Sequence, residues 1–259
     1  MAVGLIGGSG LERLIEGDKS HLVETPYGEV HVVSGEINGV NVFFVSRHGP
    51  RHEYPPHRVR YRANLYALRK AGVEKIIATS AVGSLLEELP PGSLVVIDQF
   101  IDFAKRHITY YDDVVVHVDV TRPYCPSMNR VLFEAGRMVK APIRLGGIYV
   151  CTEGPRFETP AEIEMFRMLG ASVVGMTNVP EVVLAREIAV HYSLLAVVTN
   201  YAAGMQSRVS QEEVVEVMSR AEENVRRLLN EALPKIDELS VDDDCILYRE
   251  YAEKHIMRR

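Results

Sequence analysis

Cysteine is scarce and scattered. The 259-residue chain carries three, Cys125, Cys151 and Cys245, with no C-x-x-C pair among them. An odd, widely spaced set argues against both a disulfide framework and the short ligand spacing of a structural zinc site, so a metal-free protein of a reducing cytoplasm is expected. Long apolar runs are also missing. No stretch approaches the ~18 residues of a transmembrane helix, and MAVGLIGGSG lacks the basic and continuous apolar regions of a signal peptide. A soluble, unprocessed chain is expected. Nor is there an excess of positive charge: the formal net charge is -6 and the pI about 5.9. That excludes an overall field for gripping nucleic acid and leaves any anion site to a local cluster. What is present, 47% hydrophobic and 25% charged residues, is a globular composition that excludes disordered and fibrous classes.

Short β-branched runs alternate with helical stretches. Residues 40–46, 74–83, 93–100, 146–154, 171–177 and 193–200 read as buried strands. RYRANLYALRKAG, SMNRVLFEAGRMV, TPAEIEMFRMLG and VPEVVLAREIAVHY carry apolar residues at three-to-four spacing, as helices do. This alternation predicts an α/β layered fold with a largely parallel central sheet, made mixed by a hairpin at Glu29 to Val33 and the SGEINGV turn. A long amphipathic helix follows Ser210, its N-cap, with Glu213 placed to complete a capping box. Residues 1–240 are expected to form one domain, and 241–259 a frayed tail or a partner-binding helix.

Three regions carry candidate chemistry. LIGGSG at 5–10 follows a strand, so its N–H groups and Ser9 are suited to a phosphate, although a plain strand-end turn fits the pattern equally. It is not a Rossmann fingerprint, which needs Gly where Arg13 stands. Nor is it a P-loop or a G-x-S-x-G elbow, which meets Leu11 in place of its last Gly. Residues 46–62 pack three His and five Arg behind a strand. Metal is disfavoured there by Pro55, Pro56 and the guanidinium charge, whereas Arg47 and a neighbouring imidazole suit an anion. The third region gathers TSAVGS, TEGPRFETPAE, GMTNVPE and TNYAAGM at strand ends, where open α/β sheets bind ligands. Singly, Glu158 reads as a helix-entry carboxylate, Met176 as core and Asn200 as a turn residue; their shared position favours a site.

These segments together, IGGSG, RHG, YRAN, AVGSL, PGSLVVIDQFID, EGPRF and GMTNVPEVVLARE, resemble the trimeric purine nucleoside phosphorylases, and along most of the chain the methylthioadenosine phosphorylases. The resemblance implies a single-domain phosphorylase/hydrolase-like fold, a mixed sheet surrounded by helices, in a trimer or a dimer of trimers. It implies a phosphate site of Ser9, Arg47, His48, Ser80, Ala81 and Thr177. Met176 lies against ribose by the same likeness, His52 near phosphate and sugar, and Phe157, Glu158 and Asn200 around the base. His117 matches a position that reaches a neighbouring subunit's site, and Gln211 one that faces the 5′ group. Catalysis is assigned by the likeness to Asn200, Glu158 and His48, with orthophosphate as co-substrate and no cofactor.

Two departures bear on the substrate. Methylthioadenosine phosphorylases resembling this chain carry T-D-Y-D where Thr199-Asn200-Tyr201-Ala202 stand, and EGPRFS where this chain has EGPRFE ending in Glu158. Glu158 and Asn200 are similar to the pair that holds 6-oxopurines. A carboxylate accepts the N1 proton of such a base while an amide donates toward O6 or N7. The expected reaction is phosphorolysis of inosine or guanosine in purine salvage. Methylthioadenosine or methylthioinosine phosphorolysis is the enzymatic alternative, and a phosphate- or purine-binding module the non-catalytic one.

Overall fold

The computed structural model describes residues 2–9, 19–240 and 243–258. Its strands are β1 Val3–Gly7, β2 Lys19–Val23, β3 Val30–Ile37, β4 Val40–Ser46, β5 Lys75–Ser84, β6 Leu94–Val96, β7 Gln99–Asp102, β8 Ile143–Leu145, β9 Ile148–Cys151, β10 Val173–Gly175 and β11 His191–Tyr201. The helices are α1 Tyr61–Lys70, α2 Pro126–Met138, α3 Pro160–Met168, α4 Asn178–Glu187, α5 Gln211–Glu238 and α6 Arg249–His255. All eleven strands join one mixed sheet, the α/β architecture the alternation predicts.

The longest buried strands, β5 and β11, run parallel through the middle of the sheet. Their near-continuous apolar character follows from helices covering both faces. One apolar layer packs α1, α4 and α6 against the sheet, with Leu65, Leu68, Val182 and Ile256 among its buried residues. The opposite layer packs α2 and α5, through Leu132, Met218, Val225 and Leu229. Lys75 ties α5 to the sheet. Its ammonium donates to the carbonyls of Ile236, Asp237 and Leu239 at the helix C-terminus, at 2.7–2.9 Å. A cation there satisfies acceptors that the helix itself leaves open.

The differences from the sequence reading are local. The run 93–100 is two strands, because β6 pairs with β11 and β8 whereas β7 pairs with β9 elsewhere in the sheet. Asp98 marks the crossing and accepts from the Gly147 N–H at 2.9 Å. The helix α4 ends at Glu187 rather than continuing to Tyr192. Ala189 takes a positive φ of 55°, and His191 and Tyr192 are captured by pairing with Lys75 and Ile76. At α5 only half of the expected capping box forms. Ser210 accepts from the Glu213 N–H, but the Glu213 carboxylate is held by Gln206 Nε2 at 2.8 Å. After residue 242 the chain forms a 3-10 turn over Asp243–Ile246 and then α6, with Ala252 and Ile256 buried. No helix among the described residues is long and apolar enough to cross a membrane.

Candidate active site

Strand β5 has one edge covered by β11 along its length. On its other edge β1 pairs only with Lys75 to Ala78, and β10 only with Gly83 and Ser84, approaching antiparallel. Thr79 to Val82 therefore have no strand partner on that edge among the described residues. A sheet that changes partners in this way opens a crevice at its strand ends, where exposed backbone groups and loop side chains can meet a ligand. Around this opening gather the ends of β1, β4, β9, β10 and β11.

The near end is built from the residues after β1 and β4. The Gly8 N–H donates to Thr79 Oγ1 at 3.1 Å, so the glycine turn lies on the open stretch of β5. A Cβ on Gly8 would stand 2.8 Å from the Thr79 carbonyl oxygen and 2.9 Å from Arg47 Nη1. Only a residue without a side chain fits there. Ser9 follows, half-buried, while Gly10 and residues 11–18 lie outside the described residues.

Arg47 extends the β1–β4 ladder through its N–H to the Gly7 carbonyl, and its side chain is 1% exposed. Its Nε and Nη2 donate to the two carboxylate oxygens of Glu181 at 2.7 and 2.6 Å, and Nη1 donates to the Thr79 carbonyl at 2.7 Å. Burial works against the charged guanidinium, but adjacent Glu181 prevails and raises the Arg47 pKa. With three N–H groups committed, two of the five on a guanidinium remain for a ligand. Glu181 in turn accepts from Tyr192 Oη at 2.7 Å. Next to Arg47, His48 is buried and its Nδ1 donates to the Tyr54 carbonyl at 2.7 Å, which fixes the ring. His52, at positive φ, stacks on it with ring centroids 4.6 Å apart.

Tyr149 joins the two sides of the crevice. Its hydroxyl meets Ser80 Oγ at 3.4 Å and accepts from the Thr177 N–H at 3.4 Å, placing β5 beside the N-cap of α4. Burial pushes the Tyr149 pKa up to about 12, so it stays a neutral phenol. Ala81 adjoins Ser80 on the open stretch of β5. Arg106 fastens the turn before α4 from outside, donating to the Met176 carbonyl at 2.8 Å, the Val179 carbonyl at 3.2 Å and Tyr61 Oη at 2.8 Å. Met176 packs on Gly154, where an added Cβ would come within 2.6 Å of its sulfur.

The far end holds the two polar side chains expected at a base. Between Val198 and Asn200 the β11 register with β5 shifts by one residue, a bulge that re-aims the strand end. Asn200 is buried over Gly83, whose absent side chain leaves it room; a Cβ there would be 3.2 Å from Asn200 Nδ2. Its Oδ1 accepts from Thr199 Oγ1 and its Nδ2 donates to the Tyr201 carbonyl. Glu158 accepts from Thr152 Oγ1 at 2.7 Å, and Thr152 Oγ1 also reaches the Gly175 carbonyl at 3.5 Å. Burial raises the Glu158 pKa above the ordinary carboxylate value. Asn200 lies by Gly83, the β5 partner of Val174, while Glu158 is linked through Thr152 to Gly175, the next residue of β10.

The helix-entry carboxylate of this loop is Glu162, not Glu158. Glu162 completes a capping box with Thr159 and takes a forked pair from Arg156 at 2.7 and 2.8 Å. The Arg156 bonds hold its pKa down to about 2. Glu158 is thereby released from a structural task that its sequence position suggested.

Other sequence candidates are less closely gathered. Phe157 is 39% exposed at the loop, and Ala202 is buried behind Asn200 with its N–H on the Ser84 carbonyl. Gln211 is exposed in the first turn of α5. His117 is exposed on the connection between β7 and α2. The residues that sequence reading passed over are those that hold the others: Thr79, Arg106, Tyr149, Thr152, Glu181 and Tyr192. Glu181 carried one signal, its place inside GMTNVPE, whereas Arg106 and Tyr149 carried none.

The phosphorylase superfamily matches residues 2–234. The chain is similar to a probable 6-oxopurine nucleoside phosphorylase of Dictyoglomus turgidum, 46% identical over 99% of this chain and all of that protein. It is also similar to an S-methyl-5′-thioadenosine phosphorylase of Pyrococcus furiosus, 48% identical over 91% of this chain and 93% of that one. Among solved structures, the methylthioadenosine phosphorylase of Schistosoma mansoni in complex with adenine superposes with a TM-score of 0.90, at 31% identity over 98% of both chains. With its family matched over residues 2–234, the chain belongs to the phosphorylase superfamily.

Proposed function

We propose that the protein is a purine nucleoside phosphorylase that cleaves 6-oxopurine ribonucleosides, inosine and guanosine, with orthophosphate. The observation that carries this reading is the pairing of ends in one crevice: an arginine-floored glycine turn at one, Glu158 with Asn200 at the other. Relatives named for both 6-oxopurine and methylthioadenosine phosphorolysis are similarly distant, so the base-edge residues decide between them.

In the proposed reaction phosphate attacks C1′ as the bond from C1′ to the purine nitrogen breaks. Positive charge develops on the sugar and negative charge on the leaving base. Ser9, the remaining Arg47 donors, His48, Ser80, Ala81 and Thr177 hold the phosphate beside C1′. Met176 and His52 flank the sugar. Glu158 as carboxylate accepts the N1 proton, and Asn200 turns its amide from Tyr201 toward O6 or N7. Adenine reverses that edge and leaves buried groups mispaired, which discriminates more strongly than a lost methylene. Phosphate is a co-substrate and the step needs no cofactor. A reducing cytoplasm and a trimer or dimer of trimers complete the proposal, with His117 of each subunit serving a neighbour's site.

The test is release of free base from inosine, adenosine, methylthioinosine and methylthioadenosine, with and without phosphate. Phosphate-dependent turnover that favours inosine is expected, and arsenate should replace phosphate. Equal turnover without phosphate would make the enzyme a hydrolase, and no turnover of any substrate would leave a binding module. Equal rates on methylthioadenosine and inosine would favour the second reading.

Gly8→Ala is expected to raise the KM for phosphate at least about tenfold, since the new methyl displaces either the Thr79 carbonyl or Arg47. An unchanged KM would place phosphate elsewhere. Gln211→Val should improve methylthionucleosides relative to inosine by removing a polar neighbour of the 5′-hydroxyl, and a constant ratio would show that Gln211 does not face it.

A further inference from the structure

We propose that Cys125, His191 and Cys245 bind one soft, thiophilic cation, with Zn2+ as its probe, and that this ion clips the C-terminal segment to the domain. The three residues are far apart in sequence, yet one ligand atom from each lies within 4.8 Å of the other two. Cys125 is the N-cap of α2, and its N–H donates to the Tyr192 carbonyl, which brings it beside His191 at the start of β11. Cys245 enters from the 3-10 turn beyond α5. All three are buried, at 0%, 1% and 4% exposure, and all the cysteines are free thiols.

Two thiolates and an imidazole are donors that zinc takes readily, and as a set of three they leave the fourth tetrahedral position to a water. Sulfurs bound tetrahedrally at ~2.3 Å stand ~3.8 Å apart, so the cluster needs to contract by no more than about 1 Å. His191 Nδ1 is buried with no hydrogen-bond partner, so that atom of the ring is not spent on holding the fold. Binding releases one proton from each thiol to solvent, and the resulting Zn2+, two thiolates and neutral imidazole carry no net charge. A disulfide would engage only the sulfurs and would leave the imidazole without a task.

The clip lies far from the crevice. His191 and Asn200 are nine residues apart on one strand, roughly 30 Å at ~3.3 Å per residue. Its effect is on the segment that follows. Tyr248, three residues after Cys245, accepts from the Asp119 N–H at 2.7 Å and donates to the His117 carbonyl at 3.1 Å. Beyond it, Arg249 and Glu253 pair with Glu74 and Arg69 at 3.1 and 2.9 Å. An ion at Cys245 would hold this segment against the exposed connection that carries His117.

The full-length protein, purified under reducing conditions, incubated with excess Zn2+ and desalted, should retain about one zinc per chain by elemental analysis. Its melting temperature should rise by several degrees with zinc and fall back with a chelator, because an ion bound only by the folded state stabilises it. Cys125→Ser, His191→Asn and Cys245→Ser should each lose the zinc. Wild type that retains none and shows no zinc-dependent melting shift would overturn the proposal, whether or not the variants fold. So would zinc retained equally by Cys245→Ser, or an intact mass two hydrogens lighter with Cys125 and Cys245 joined. None of these outcomes depends on the substrate assignment.

Discussion

Arg47→Ala is expected to unfold well below wild type even without phosphate. Removing the guanidinium leaves the Glu181 carboxylate, 1% exposed, with Tyr192 Oη as its remaining partner among the described residues, and leaves the Thr79 carbonyl without its Nη1 donor. Breaking a buried pair from one side typically costs ~3–5 kcal/mol, because a charge stays behind in a low-dielectric interior. In a chain of this size that corresponds to a fall in melting temperature on the order of 10 °C. Glu181→Ala should cost a similar amount from the other side. Arg47→Lys should be intermediate, since an ammonium keeps the charge but not the fork. A phosphate KM measured on Arg47→Lys, which preserves more of the fold, reports the ligand role separately. If Arg47→Ala melts within about 1 °C of wild type, the ion pair contributes little to the fold and Arg47 acts on ligand alone.

The second large effect is at the base edge. Wild type should favour inosine over adenosine by a factor of about 10⁴ or more, the scale at which a site built for one hydrogen-bonding edge rejects another. Glu158→Ala should collapse that ratio. Asn200→Asp alone sets a second carboxylate near Glu158, so like-charge repulsion should lower 6-oxopurine activity without creating an adenine site. The triple change Glu158→Ser, Asn200→Asp, Ala202→Asp should reverse the preference. Wild type that cleaves adenosine as fast as inosine would refute the assignment.

The raised Glu158 pKa adds a pH signature. Burial makes the folded protein hold this proton more tightly than the unfolded chain, whose carboxyl titrates near 4.5. The carboxylate's stability cost therefore appears as pH rises from that value through the raised one. Activity should follow the opposite course: kcat/KM for inosine should fall as pH drops through the raised value, because a protonated Glu158 no longer accepts from N1. Glu158→Gln should remove that acid limb, and its persistence would assign the limb to another group.

Strands and helices were legible where local pattern and tertiary demand agree. The β-branched runs of β4, β5 and β11 and the amphipathic periodicity of α1, α2 and α5 need no partner to be recognised. The run 93–100 misled because one continuous apolar stretch serves two places in the sheet, and only the pairing partners reveal the break at Asp98. Likewise His191 and Tyr192 continue a helical pattern, yet pairing along β5 outweighs it.

Composition and motif order by themselves determined an α/β protein with a phosphate-suited glycine turn, a basic segment behind β4 and polar residues at strand ends. Those properties are written in contiguous residues whose spacing repeats the period of the backbone. The tertiary structure alone decided which side chains are available. It committed two donors of Arg47 to Glu181 and a third to the Thr79 carbonyl, released Glu158 by giving helix entry to Glu162, and opened β5 between β1 and β10. It also brought Cys125 and Cys245 to His191, which a reading of cysteine spacing had kept apart. The physical reason is common to all four: hydrogen-bond partners and close neighbours are chosen across folded elements, where separation along the chain carries no information about distance.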